Sequence, residues 1–186
     1  MDKNKERIIR ATMKLFNEKG LKFTMDDIAS EIKMSKKTIY QLFKDKHSMF
    51  LQMVDYCFDE IKESEQQILD NPNLSTIEKI SGILGVLPQG YRNIDFRKLY
   101  VLKEQYPNIY EKVEHRIETD WESTLELMEQ GIEEGVLRPF NLCVFKLMFE
   151  ATIEHFLQRD ILIVNEIEFA EALDQLVSII IDGIKA

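Results

Sequence analysis

A chain of 186 residues, 45% of them hydrophobic, has room for a proper core, built as one large domain or as a small domain beside a larger one. No apolar run is long enough to span a bilayer, and the charged, polar N-terminus does not read as a secretory signal, so neither a membrane partner nor export is expected. The net charge of −9 argues against a nucleic-acid partner only until it is divided. Residues 1–50 hold twelve Lys and Arg against seven Asp and Glu, a net of +5; residues 51–186 hold twelve against twenty-six, a net of −14. A basic head suits binding by counterion release, and an acidic remainder keeps away from DNA.

The first predicted helix covers 3–19, with Ile8, Thr12, Leu15 and Phe16 on one stripe, Ile9 and Ala11 beside it, and Gly20 as its C′ residue. Lys3, Lys5, Arg7 and Arg10 lie near its start, where they can reach phosphate or form a solvated face. Thr24 precedes Asp27 by three residues, a capping-box spacing with Asp in place of Glu or Gln. Ile28, Ala29 and Ile32 then share a helical face. Lys33-Met34 form a turn, Ser35 is an N-cap, and a second short helix opens with Lys36, Lys37 and Thr38 and carries Tyr40 and Gln41. Ile39 and Phe43, four apart, are its buried side. Asp45 caps the next helix, whose first turn contains Lys46.

Two short helices around a tight turn can lay the N-terminal end of the second in a major groove while the first braces it. Lys36, Lys37, Thr38, Tyr40 and Gln41 are types that hydrogen-bond phosphates or base edges. The same pattern also describes a short solvated helix with surface lysines. The segment resembles the DNA-binding domain of the tetracycline-repressor (TetR) family of bacterial transcription regulators. That resemblance rests on Ala11, Phe16, Gly20, Thr24, Ile28-Ala29, Ser35 and the run Thr38-Ile39-Tyr40 with Phe43 and Lys46. It implies DNA contacts from Thr24, Ser35, Lys36, Lys37, Thr38, Tyr40, Gln41 and Lys46. Three departures stand out. Lys33 replaces a common turn glycine, at a cost on the order of 1 kcal/mol if its φ is positive. Lys37 also stands where glycine is common, adding a cation near the groove, and Leu42 stands where His or Tyr is frequent.

Three helices of about fifty residues are close to the smallest independent core, so this head is expected to lean on later parts of the chain. A fourth helix over 46–69, with Met49, Met53, Tyr56, Ile61 and Ile68 on its apolar side, begins in the head and ends in the body, as a lever would. Asn71-Pro72-Asn73 breaks it. Ser75-Thr76 starts a helix to about 87, Pro88-Gln89-Gly90 breaks the chain again, and a weaker helix covers about 95–105. Pro107 opens a single long helix, its stripe running Ile109, Val113, Ile117, Trp121, Thr124 or Leu125, Met128 and Ile132 until Gly135 stops it. Helices over about 142–158 and 167–183 end the chain, with Ile161–Val164 as a buried connector between them. The fold class is therefore all-α, about nine helices: a helix-turn-helix domain over 1–47 and a larger ligand-binding and dimerisation domain over 48–186.

The last two helices are apolar on more than one side, and an arc left bare needs a partner. A symmetric pair through a four-helix bundle is expected, with Phe145, Phe149, Phe156, Leu173, Leu176 and Ile180 at the interface; the alternative is that the rest of one chain wraps them. The family resemblance also implies a small-molecule effector in the helical body. Candidates are Tyr91, Phe96, Tyr100, Trp121, Met128 and Phe149, residues that could equally be core, with His115 and His155 as orienting polar groups. Cys57 and Cys143 lie far apart and in no metal-ligand spacing, as free thiols in a reducing cytoplasm do. No catalytic or metal-binding constellation is visible among His47, His115, His155 and the acids, so neither an enzyme nor a cofactor is expected. The expected function is that of a homodimeric regulator, usually a repressor, released from a near-palindromic operator by a small molecule. The alternative is a helical protein-interaction module or a lipophilic-ligand carrier with a non-functional helix-turn-helix.

Overall fold

The computed structural model describes residues 2–92, 100–158 and 161–186, and among these are eleven α-helices, nine of them seven residues or longer, and two short 3-10 turns, Gly20–Lys22 and Gln89–Tyr91. Among these there is no strand, only an isolated bridge between Leu137 and Lys185. The chain divides into two compact units, Met1–Asp59 with Lys98–Val113, and Glu60–Arg97 with Glu114–Ala186.

The first unit holds α1 (Lys3–Lys19), α2 (Met25–Glu31), α3 (Lys36–Leu42), the opening part of α4 (Lys46–Leu69), α6 (Tyr100–Gln105) and the first turns of α7 (Pro107–Glu118). Asp2 caps α1 by accepting from the Asn4 and Lys5 N–H groups, and Gly20 ends it at φ 58°, where a side chain would be strained. Asp45 and Ser48 cap the start of α4 reciprocally: Asp45 Oδ1 accepts from the Ser48 N–H at 2.7 Å, and Ser48 Oγ accepts from the Asp45 N–H at 3.2 Å. Ile8, Ile9, Phe16, Phe23, Ile28, Ile39, Phe43, Met49 and Phe50 are buried together. Phe50 is central: its ring meets Phe16 edge-on at 5.3 Å, Phe23 at 5.8 Å and Tyr106 at 5.8 Å. Burying each such ring contributes roughly 1.5–3 kcal/mol. The head does lean on later chain. Beyond residue 47 this unit takes in Asp55, which pairs with Lys112 of α7 at 2.6 Å, and Tyr106 and Asn108, which approach Phe50 and His47.

The second unit holds the rest of α4 and α7, with α5 (Thr76–Leu84), α8 (Glu122–Glu133), α9 (Leu142–Gln158), α10 (Ile161–Val164) and α11 (Phe169–Ile184). Its core is Ile80, Ile83 and Leu84 of α5, Leu127 and Met128 of α8, Leu137 of the segment after α8, Phe145 and Phe149 of α9, and Leu173, Val177 and Ile184 of α11. Gly131 lets α8 approach closely, since a Cβ there would lie 3.0 Å from Leu137 and 3.3 Å from Ile80. Gly135, at φ 72°, ends α8, and the segment after it is tied to the C-terminus: Arg138 N–H and Nε donate to the carbonyls of Ile184 and Gly183, and Ala186 N–H to Val136.

Three expectations are corrected here. The single helix from Pro107 is two, α7 and α8, broken at Asp120, which sits at φ 64°. Asp tolerates that region better than most residues, and the break is held by side chains. Lys62 Nζ donates to the Asp120 carbonyl at 2.5 Å, Lys146 Nζ to the Glu118 carbonyl at 2.9 Å, and Trp121 Nε1 to Ile117 at 2.9 Å. Helix α5 stops at Leu84 rather than near 87. The connector Ile161–Val164 is a helical turn with Leu162 buried but Ile161 and Val164 exposed. Of the helix expected over 95–105, residues 95–99 lie outside the described residues.

Candidate nucleic-acid interface

The α2–turn–α3 segment is built by its caps. Thr24 and Asp27 form a reciprocal capping box at the start of α2: the Asp27 N–H donates to Thr24 Oγ1 at 3.2 Å, and the Thr24 N–H and hydroxyl donate to Asp27 Oδ2 at 2.7 and 2.8 Å. Lys19 adds an ion pair to the same carboxylate at 2.7 Å. These donors, Lys19 first and then the Thr24 N–H and hydroxyl, lower the pKa of Asp27 to about 2.

At its other end α2 closes in a Schellman arrangement. The Met34 N–H reaches the Ala29 carbonyl at 2.9 Å, the Lys33 N–H reaches Ser30 at 3.4 Å, and Lys33 takes the left-handed position at φ 51°. The turn thus has the geometry for which glycine is the usual choice, with lysine in its place. Arg7 of α1 donates from Nη2 to the Ile32 carbonyl at 2.9 Å, so this arginine braces the turn. By residue type Arg7 is one of several interchangeable basic residues; only the fold brings it to the end of α2.

Helix α3 is split cleanly. Ile39 and Phe43 are buried, while Lys36, Lys37, Tyr40 and Gln41 are exposed, Tyr40 to 51%. Thr38 is half-buried, and its Oγ1 lies 2.8 Å from Ser35 Oγ, which also accepts from the Thr38 N–H at 3.1 Å. Thr24 and Ser35 are exposed too, with their hydroxyls engaged in capping.

Lys46 is placed differently from the outward phosphate contact expected of it. Its Nζ donates to the Leu21 and Phe23 carbonyls at 2.6 and 2.7 Å and lies 3.8 Å from the centroid of the Phe23 ring. Desolvation lowers its pKa. The ammonium is held inward because those two carbonyls, in the loop between α1 and α2, have no helical partner of their own.

Of the ligand candidates, Trp121, Met128 and Phe149 meet in one core, while Tyr91, His115 and His155 are not in that cluster. Met128 and Phe149 are packed in the core of the second unit, with Trp121 edge-on to Phe149 at 5.6 Å. Tyr91 is buried, its hydroxyl donating to Glu60. His115 and His155 are exposed, Phe96 lies outside the described residues, and so does the side chain of Tyr100, which opens α6. Two open grooves run beside α11. One, of about 620 Å³, is lined by Arg92, Glu168, Glu171, Asp174 and Ser178; the other, of about 390 Å³, lies against Ser81, Gly82 and Gly85 of α5. Among the described residues, none of the candidates lines either groove.

At the expected interface Phe145, Phe149 and Leu173 face their own core, and Phe156, Leu176 and Ile180 are half-buried. The large apolar residues that α9 and α11 expose are Val144, Leu147, Met148 and Ile179, at 52, 60, 62 and 71%. On α9 the first three share a stripe distinct from the one that Phe145 and Phe149 bury. Among the described residues no group of three His, Cys, Asp or Glu side chains could hold a metal ion, and no helix is long and apolar enough to cross a membrane.

Residues 8–53 match the sequence profile of bacterial regulatory proteins of the tetR family. Over its whole length the chain is 27% identical to YvaF, an uncharacterised HTH-type transcriptional regulator of Bacillus subtilis, covering 96% of that protein. Over 56 residues it is 41% identical to IcaR of Staphylococcus aureus, a negative transcriptional regulator of the icaADBC biofilm operon, the match covering 30% of each chain. The fold is similar to that of a protein of Rhodococcus sp. classed as a TetR-family regulator, with a TM-score of 0.71 at 14% identity and complete coverage of both chains.

Proposed function

We propose that the chain is a DNA-binding regulator of the TetR family, a homodimeric repressor released from a near-palindromic operator by a small molecule. One observation carries the reading: α3 buries Ile39 and Phe43 and turns Lys36, Lys37, Tyr40 and Gln41 to solvent. A helix seated that way has its polar residues free for a groove while its apolar side fixes it to the rest of the head, α2 included. Residues 1–47 form the DNA-binding part of this proposal. Lys37 and Gln41 read base edges, Lys36 and Tyr40 contact phosphate, and Arg7 and Lys46 hold the turn and the loop that present them.

The remainder, 48–186, carries dimerisation and response. Val144, Leu147, Met148 and Ile179 supply the apolar surface that a second copy covers, since such a patch is rarely left in water. Two-fold symmetry then places two α3 helices on one face of the duplex. The effector binds in the second unit. Helix α4, whose residues belong to both units, passes its preference to the head. The coupling is reciprocal, so operator DNA weakens effector binding by the factor that effector weakens DNA binding. The protein acts in the cytoplasm, where its operator is.

A mobility-shift assay with DNA flanking the chain's own gene tests this, together with the mass in solution. A shift at a dimer's mass supports the proposal. A monomer with no preference for that DNA over unrelated duplex contradicts it.

A further inference from the structure

The two lysines that open α3 have different surroundings. Lys36 Nζ lies 2.5 Å from Asp26 Oδ1 in the first turn of α2, whereas Lys37 has no hydrogen-bond or ion-pair partner among the described residues. Both ends of the Lys36–Asp26 pair are open to solvent, their side chains 50% and 69% exposed. The other two acids of α2 are paired back to α1, Asp27 with Lys19 and Glu31 with Lys14. Asp26 is thus the one acid of α2 whose partner stands on the helix assigned to the groove.

Resting on the DNA-binding reading of α3, we infer that Asp26 is a specificity-setting residue that restrains the phosphate contact of Lys36. A carboxylate and a phosphodiester are anionic acceptors for the same ammonium. An exposed pair is weak and screened by salt, so Lys36 can exchange one for the other on binding. The carboxylate it leaves stays beside the duplex and repels it. That penalty falls on every sequence alike, because phosphate contacts carry no sequence information. Asp26 therefore lowers the non-specific grip and leaves a larger share of binding to Lys37 and Gln41. Specificity is a ratio of specific to non-specific affinity, and restraint of this kind raises it.

The test uses the full chain, a random-sequence duplex as probe, and the variants Asp26→Asn, Lys36→Gln and their combination, each checked for an unchanged thermal unfolding curve. Asp26→Asn is expected to tighten binding about three- to tenfold at low salt and to steepen the slope of log K against log salt by up to about 0.9. In the Lys36→Gln background the gain is expected to shrink to what repulsion by the carboxylate alone supplies, about half or less in log K. A gain of the same size in that background, or no gain at all while Lys36→Gln weakens binding, overturns the restraint and leaves the DNA-binding reading standing. Wild-type protein without salt-dependent affinity for any duplex would overturn both.

Discussion

Lys46 sits 3.8 Å from the centroid of the Phe23 ring and donates to the Phe23 carbonyl at 2.7 Å, so one side chain holds another residue by its ring and its backbone together. With the Leu21 carbonyl as a further acceptor, the ammonium fastens the loop that delivers the chain to α2. Lys46→Met keeps the packing of the stem but removes the charge-assisted hydrogen bonds. The expected loss is about 1–2 kcal/mol in urea denaturation. The slope of DNA affinity against salt should stay that of the wild type. A drop of about one unit in that slope with unchanged stability would return Lys46 to the phosphate backbone.

Lys33 occupies the left-handed C′ position that ends α2. Glycine there relieves the clash of a Cβ with its carbonyl, an effect of roughly 1–2 kcal/mol, and gives some of it back as unfolded-chain entropy. Lys33→Gly should therefore raise stability by about 0.5–1 kcal/mol, and Lys33→Val should lower it. Thermal unfolding of the two variants reads both signs.

Asp27 titrates at about 2 because Lys19 and Thr24 favour its charged form. An acid whose folded pKa lies below its ordinary 3.8 contributes stability that is fully present above that value and lost as pH falls through about 2. The wild type should therefore exceed Asp27→Asn in midpoint temperature at about pH 6, and the gap should close between about pH 4 and 2. A gap constant across that window would mean that the carboxylate is not held by these partners.

Leu147 and Phe149 are two residues apart on α9 and differ in exposure, 60% against 8%. Leu147→Asp should turn a dimer into a monomer in sedimentation with little change in the stability of the second unit. Phe149→Ala should instead lower stability by about 3–5 kcal/mol by opening a cavity in the core. Dimer mass retained in Leu147→Asp would place the interface elsewhere.

The helix ends that could be read from the chain are those with a local chemical signal. Gly20, Thr24 with Asp27, Ser35, and Asp45 with Ser48 each mark a boundary through their own hydrogen bonds or φ, and the end of α1 and the starts of α2, α3 and α4 agree with them. Periodicity misled where the cause lay elsewhere in the fold. The stripe from Ile109 to Ile132 continues in phase across Asp120, and the lysines that hold that break come from residues 62 and 146. Composition also could not say which arc of α9 faces inward, since Phe145 and Val144 are equally apolar and only their neighbours separate them. Residue type placed Lys46 at the DNA, while its direction depends on two carbonyls more than twenty residues earlier.

Selection of bound duplexes from a random pool measures the central claim most directly, because it reads sequence recognition and symmetry together. The expected result is a consensus with two-fold symmetry whose half-sites lie about one helical turn, or a multiple of it, apart, and which changes at defined positions in Lys37→Ala and Gln41→Ala. Recovery of unselected sequence, or of a consensus that both substitutions leave untouched, would contradict it.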